Sequence, residues 1–380
     1  MPTENSTQQS PQAAEAATPY QAVEHWFQRY RPRSRIFENG HLQTLAGNFW
    51  PRKHALPEPE PVPIEVEAAN GIFPASHVLC YCHWQPEEVR AKRLTVVLVH
   101  GLEGSSDSHY IRGNSAKAWR AGCNVVRMNM RNCGDTELLC PTLYHCGLSG
   151  DVGKVVEHVV REHGLQSVAV VGYSMGGNLV LKYVGELGEN APAYLKAAVA
   201  ISPAMDLAAC SDALHAWQNR LYESNFLKGL LRRYRYKAGL FPRIYDIESA
   251  RQVRSIREFD NNIVARYCGF KDAEDYYAKA SSSVVASDIR VPTLVIHALD
   301  DPFIRMTAPT RDKLLANPNV SLIETHHGGH CAFLASPDGH ASNKDFDGYW
   351  AEHTLLQFLL ATVPEKDTAM ADALRGEVAD

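Results

Sequence analysis

Ser174 stands in Gly172-Tyr173-Ser174-Met175-Gly176, between a β-branched run that begins at Val168 and an apolar-periodic run from Leu179 through Val184. The order strand, tight turn, helix is what a nucleophilic serine needs if its hydroxyl is to stand exposed above a sheet. Gly172 and Gly176 remove side chains where strand and helix converge, and Ser174 has to accept an unfavourable backbone conformation. A serine so placed attacks an acyl carbon. That chemistry requires a base, an acid to orient the base, and donors for the oxyanion. The Met175 N–H, at the positive end of the following helix, is one such donor.

The remaining groups lie where further strands end. Leu294 to His297 runs into Ala298-Leu299-Asp300-Asp301-Pro302, so two carboxylates share one loop. One would meet the base while the other caps the turn; the offset of Asp301 from the strand suits the orienting acid better, with Asp300 as the alternative. Val320 to Ile323 leads to Thr325-His326-His327-Gly328-Gly329-His330. Its two glycines let the last imidazole swing back over the sheet, which makes His330 the base. A metal cluster is the rival reading of the three histidines, but glycines at 328 and 329 oppose the helix that the His326/His330 spacing would need. Leu94 to Val99 ends in His100-Gly101-Leu102, where the Leu102 N–H is the second oxyanion donor. His100 itself reads as a structural hydrogen-bonder.

Positioning these groups takes a mostly parallel sheet. Apolar or alternating runs near residues 64–67, 77–81, 94–99, 123–130, 168–171, 197–201, 291–296 and 320–323 read as strands. Helical patterns over 150–163 and around Trp350, Leu355, Phe358 and Leu359 alternate with them. The expected fold class is α/β, with helices flanking the sheet. Residues 21–207 and 291–365 form the core, and 208–290 form a helical cap; 1–20 and 366–380 are polar tails, the first of them disordered. Pro57 to Pro63 reads as a connector, and Asn70-Gly71 as the turn between the first two strands. The segment Tyr30 to Pro51 is too short for a domain and is expected to pack on the core.

Composition narrows the function classes. A net charge of -5 gives no basic field for nucleic acid. Nine cysteines without a Cys-x-x-Cys pair argue for reduced thiols in the cytoplasm. The N-terminus carries neither a signal peptide nor an anchor pattern, and no run is long enough to span a bilayer. Lys228, Arg232, Arg233, Arg235 and Lys237 lie in the cap. They read as a solvated helix face rather than as a membrane contact.

Several stretches together resemble one family. They are His41-Leu42-Gln43-Thr44-Leu45, His100-Gly101-Leu102-Glu103-Gly104-Ser105-Ser106, the Ser174 turn continued to Asn178, Asp275-Tyr276-Tyr277 with Ala280-Ser281-Ser282, and Ala298 to Phe303. The chain resembles the YheT-like branch of the α/β-hydrolase superfamily (the AB hydrolase 4 family), which includes abhydrolase-domain proteins of the ABHD1/ABHD3 type. His-Leu-Gln-Thr-Leu is the stretch that separates this branch from other α/β hydrolases. The resemblance implies an α/β-hydrolase fold with a triad of Ser174, Asp301 and His330, acting on carboxylic esters and in some members on phospholipids. Two features depart from it: Arg131-Asn132-Cys133-Gly134-Asp135 replaces an Arg-Gly-Cys-Gly-Gly type of turn, and the membrane-spanning N-terminus of the eukaryotic members is missing.

The expectation is therefore a serine esterase for short-to-medium acyl chains, working through an acyl-enzyme without metal or organic cofactor. Its partner is a small-molecule ester. Thioester hydrolysis, a lipase or phospholipase activity, or a catalytically silent binding pocket are the rivals.

Overall fold

The computed structural model describes residues 30–50, 52, 55–336 and 346–363. Both expected tails, 1–20 and 366–380, lie outside the described residues. Eight strands form one sheet: β1 (Glu60–Glu67), β2 (Ser76–His83), β3 (Thr95–Val99), β4 (Asn124–Met128), β5 (Val168–Tyr173), β6 (Leu195–Ile201), β7 (Thr293–Ala298) and β8 (Val320–Thr325). Their order is β1-β2-β4-β3-β5-β6-β7-β8, with β1, β2 and β4 antiparallel and every later pairing parallel.

Because helices cover both faces, the central strands are continuous apolar runs whose alternate residues serve different layers. Val97, Val99, Val168 and Val170 face one core; Val96, Leu98, Ala169 and Val171 face the other. The first core is closed by α3 (Ser149–His163) and α4 (Met175–Leu187), and the second by α2 (His109–Arg120) and α9 (Trp350–Thr362). Between β6 and β7 the chain is helical, with α5 (Leu207–His215), α6 (Arg220–Leu240), a π-helical turn at Asp260–Ala265, and α7 (Ala273–Ala280). An N-terminal helix, α1 (Gly40–Phe49), and α8 (Ala308–Ala316) complete the set used below. No helix among the described residues is long and apolar enough to cross a membrane.

Two local readings of the sequence need correction, and two elements carry features that it did not announce. Pro61 and Pro63 belong to β1 rather than to a connector; this edge strand pairs only with β2, so prolines two apart can both turn their missing N–H outward. Helix α2 has no apolar signature because part of its inward face is polar: Asn114 donates to the Tyr173 hydroxyl at 2.8 Å, and buried Lys117 meets Asp347 and Glu352. The basic residues of α6 are not one solvated face. Lys228, Arg232 and Arg235 are exposed, but Lys237 is buried on the carbonyls of Glu137 and Cys140, and Arg233 turns inward to Glu103 and the Asn132 carbonyl. Finally, the Tyr30–Trp50 segment packs on the core through Tyr30, whose ring meets Phe333 and Trp350, and through the fully buried Gln43, while Phe49 stays 82% exposed.

The turn after β4 shows how Asn132 and Asp135 stand where the resembled family carries glycines. Both adopt positive φ, 63° and 60°, a region that Asn and Asp tolerate better than other side chains. Arg131 is clamped in a two-pronged pair with Asp151 at 2.7 and 2.6 Å.

Candidate active site

Ser174 lies between the end of β5 and the start of α4, at φ 54° and ψ -115°. A strained residue persists only where its surroundings over-determine it. Here the Ser174 N–H donates to the Ile201 carbonyl at 2.9 Å, and its carbonyl accepts from Asn178 and Ala204. The glycines are obligatory: a Cβ on Gly172 would sit 2.1 Å from the Gly176 carbonyl oxygen, and one on Gly176 would sit 2.4 Å from the carbonyls of Val99 and His100. Asn178 then ties this helix to its neighbours, donating to the carbonyls of Cys146 and Ala280 and accepting the Ser282 N–H. The Ala280-Ser281-Ser282 stretch thus serves as an anchor for the serine's own helix.

The loop after β3 passes directly over the serine. A Cβ on Gly101 would meet the Ser174 Cβ at 3.2 Å, and the next residue, Leu102, lines the same cavity as Ser174. Among the described residues the Leu102 N–H donates no hydrogen bond, and Met175, as the first residue of its helix, has no helical acceptor. His100 fixes this loop from below, with Nδ1 donating to the Gly101 carbonyl at 2.8 Å and Nε2 accepting the Met130 N–H at 3.1 Å. Burial pushes its imidazole down to about 4, in keeping with a neutral, structural ring.

The two carboxylates after β7 have separate partners. Asp301 Oδ2 lies 2.8 Å from His330 Nδ1, and its Oδ1 accepts the N–H groups of Phe303 and Ile304. Burial alone would raise the Asp301 carboxyl, but the charge and hydrogen bond of His330, with the Ile304 amide, hold it below its usual range. Asp300 does not meet His330; it accepts the Gly329 N–H at 2.9 Å and faces His327, and burial raises its carboxyl. His326 is exposed to solvent. The His330 ring packs at 4.4 Å on Phe303, and its Nε2 lies 3.6 Å from the Cys331 thiol. Burial disfavours the imidazolium, yet its neighbours Cys331 and the Asp301 carboxylate outweigh it and raise His330 above the ordinary histidine range.

Residues 95–337 match the family model for the alpha/beta hydrolase fold. The chain belongs to the α/β-hydrolase family. It is 33% identical over 303 residues to YheT of Escherichia coli K12, whose name marks it as a candidate esterase, covering 79% of this chain and 86% of that one. It is 32% identical over 246 residues to the bovine phospholipase ABHD3, covering 64% of this chain and 59% of that protein, so it spans less than two thirds of the mammalian relative. A yeast monoacylglycerol lipase is 26% identical over 349 residues, covering 80% of this chain and 76% of the lipase. These likenesses put this α/β hydrolase in the branch that holds YheT and ABHD3.

The stretch that marks the branch has a structural task in this hydrolase. On α1 the leucines of His41-Leu42-Gln43-Thr44-Leu45 are exposed and the polar pair is buried. Thr44 Oγ1 donates to the Gly40 carbonyl at 2.6 Å and accepts the His330 N–H at 2.8 Å. Gln43 Oε1 accepts the N–H of Leu334 at 2.7 Å, while its amide nitrogen donates to the Phe37 carbonyl. An N-terminal helix therefore holds the His330 loop from 286 residues away. Reading the sequence singled out this motif but not what Gln43 and Thr44 bind.

In front of Ser174 opens a cavity of about 790 Å³, a figure that includes the open space at its mouth. Its floor is Leu102, Ser174, Met175 and Ala204; α5 contributes Leu207, Cys210 and Leu214, α6 contributes Phe226 and Leu230, and Phe303 and Ile304 close the side towards His330. Of the apolar residues on and just after α6, Leu230 lines the cavity; Leu227 and Leu231 pack in the core cluster without lining it, and Phe241 lies against that cluster.

Proposed function

We propose that this α/β hydrolase is a serine esterase that cleaves carboxylic esters of short-to-medium acyl chains. One observation carries the reading: a serine at a strained strand-to-helix turn opens onto a largely apolar cavity whose wall residue Phe303 packs on His330 of a hydrogen-bonded Asp301–His330 pair. In this reading Ser174 Oγ attacks the ester carbonyl while His330 Nε2 accepts its proton, and Asp301 steadies the imidazolium. The amides of Leu102 and Met175 receive the oxyanion. His330 returns the proton to the leaving alcohol, and water releases the acyl group by the same route.

The helices between β6 and β7 would act as a cap that selects the acyl chain. Support comes from the walls of the cavity, to which α5, α6 and α7 all contribute. Each methylene buried there contributes roughly 0.8 kcal/mol, so efficiency should climb several-fold per two-carbon step until the cavity is full. The absence of any disulfide among the described residues, which include all nine cysteines, is consistent with a reducing compartment such as the cytoplasm.

The test is the specificity constant on p-nitrophenyl acetate, butyrate, hexanoate and decanoate, for the wild type and Ser174→Ala. A rise to an intermediate chain length that vanishes in the variant supports the proposal. A flat or falling series removes the acyl pocket, and activity that survives in Ser174→Ala removes the mechanism.

A further inference from the structure

The cavity before Ser174 is largely apolar. Of its polar lining, the hydroxyls of Tyr144 and Tyr276 are taken up by Glu103 and the Cys146 N–H, His145 also lines it, and a separate polar cluster stands in the helical wall. There Asp260, Tyr277 and Ser211 converge from three separate elements: the π-helical turn, α7 and α5. The Tyr277 hydroxyl lies 2.7 Å from Asp260 Oδ2 and 3.0 Å from Ser211 Oγ, so the three form one connected chain. Among the described residues Asp260 Oδ1 accepts no hydrogen bond. The neighbouring Arg257 is engaged elsewhere, paired with Asp212 and Glu274, and leaves Asp260 without a salt bridge.

The Arg257 charge still acts on Asp260, but no ion pair to it is formed among the described residues. A carboxyl group on a largely apolar cavity without an ion pair is costly and persists where it is used. It stands on a π-helical turn, a distortion that recurs at functional positions. Burial pushes its carboxyl up to about 7, so both protonation states are within reach near neutrality. In the neutral state Asp260 can donate as well as accept, and in the ionised state it only accepts. A hydroxyl group is a small uncharged substituent that pairs with both states, since it donates and accepts. A ketone only accepts, an ammonium only donates, and a carboxylate would be repelled by the ionised form.

Building on the esterase reading, we propose that Asp260, Tyr277 and Ser211 form a recognition station for a hydroxyl group carried on the acyl chain, so that hydroxyacyl esters are the preferred substrates. The apolar wall between Ser174 and the station takes the methylenes, and the station takes the oxygen. A site built to hydrogen-bond a hydroxyl discriminates against the chain that lacks it, because the buried polar groups are then left unpaired.

The experiment compares p-nitrophenyl esters of hexanoate, octanoate and decanoate with the same chains bearing a terminal hydroxyl, using the full chain. For at least one length, the hydroxylated ester should have a kcat/KM about tenfold or more above its plain counterpart. In Asp260→Leu that ratio should fall to one or below, and in Tyr277→Phe, which keeps the ring and its packing, it should fall part of the way. Equal or lower efficiency for the hydroxylated ester at every length, with the plain esters still cleaved, overturns the station and leaves the esterase reading standing. Failure to cleave any ester overturns both. The wild-type ratios alone decide the matter if Asp260→Leu does not fold, and an unchanged ratio in Tyr277→Phe counts against the station.

Discussion

The turn that carries Ser174 takes its geometry from its neighbours in sequence, whereas the loop that carries His330 takes it from a helix near the opposite end of the chain. Gly172 and Gly176 flank the serine within two residues and permit its φ of 54°. His330 follows two glycines with positive φ, 154° and 56°, which by themselves define no orientation. The loop gains one when Asp300 accepts the Gly329 N–H and Thr44 accepts the His330 N–H, with Asp301 holding the ring itself. A proposed nucleophile marked by its sequence neighbours and a proposed base with a remote brace should differ in how they fail. Damage to the first removes chemistry outright, and damage to the brace misaligns a base that is still present.

The largest effect should come from the serine itself. Ser174→Ala is expected to lower kcat by about 10⁴ to 10⁶ with the melting temperature essentially unchanged, measured on a butyrate or hexanoate ester. Next come the paired carboxylates. Asp301→Asn should lower kcat on the order of 10⁴, because the amide favours the wrong imidazole tautomer, while Asp300→Asn should cost far less. The opposite ranking would move the orienting role to Asp300.

The brace sharpens the contrast. Thr44→Val removes the acceptor for the His330 N–H without changing shape, and Gln43→Ala removes the acceptor for Leu334. Each should lower kcat by roughly ten- to a hundredfold, the scale of an ångström misplacement, with KM nearly constant. Full activity in both would show that the loop orients without α1.

The smallest effect is a displacement along the pH axis. The proposed base works as neutral imidazole, and the Asp301 charge favours its protonated form. The kcat/KM of the wild type should therefore rise with pH, with a midpoint above the ordinary histidine value of about 6.5. Asp301→Asn deletes that charge, so its residual activity should rise at lower pH. A wild-type midpoint below the ordinary value would contradict the Asp301–His330 coupling.

How much could be read from the sequence follows the same division. The elbow was legible because glycine spacing, a β-branched run and a helical run sit side by side, and the central strands because burial on both faces makes them apolar. The competition between Asp300 and Asp301 was not resolvable locally, since adjacent carboxylates differ only in what they meet in space. Helix α2 was hidden by its buried polar residues, Asn114 and Lys117. Arg233 and Lys237 look like surface cations in sequence, and only their carbonyl and carboxylate partners draw them inward. Nothing near Asp260 marks it, because its cavity is assembled from three helical elements and the sheet.

The most direct test of the central claim is covalent labelling with a fluorophosphonate, followed by peptide mapping. The account predicts one adduct, on Ser174, with labelling slowed strongly in Asp301→Asn, slowed moderately in Thr44→Val, and blocked by a competing hexanoate ester. An adduct on any other residue, or an unlabelled protein that remains folded, would contradict it.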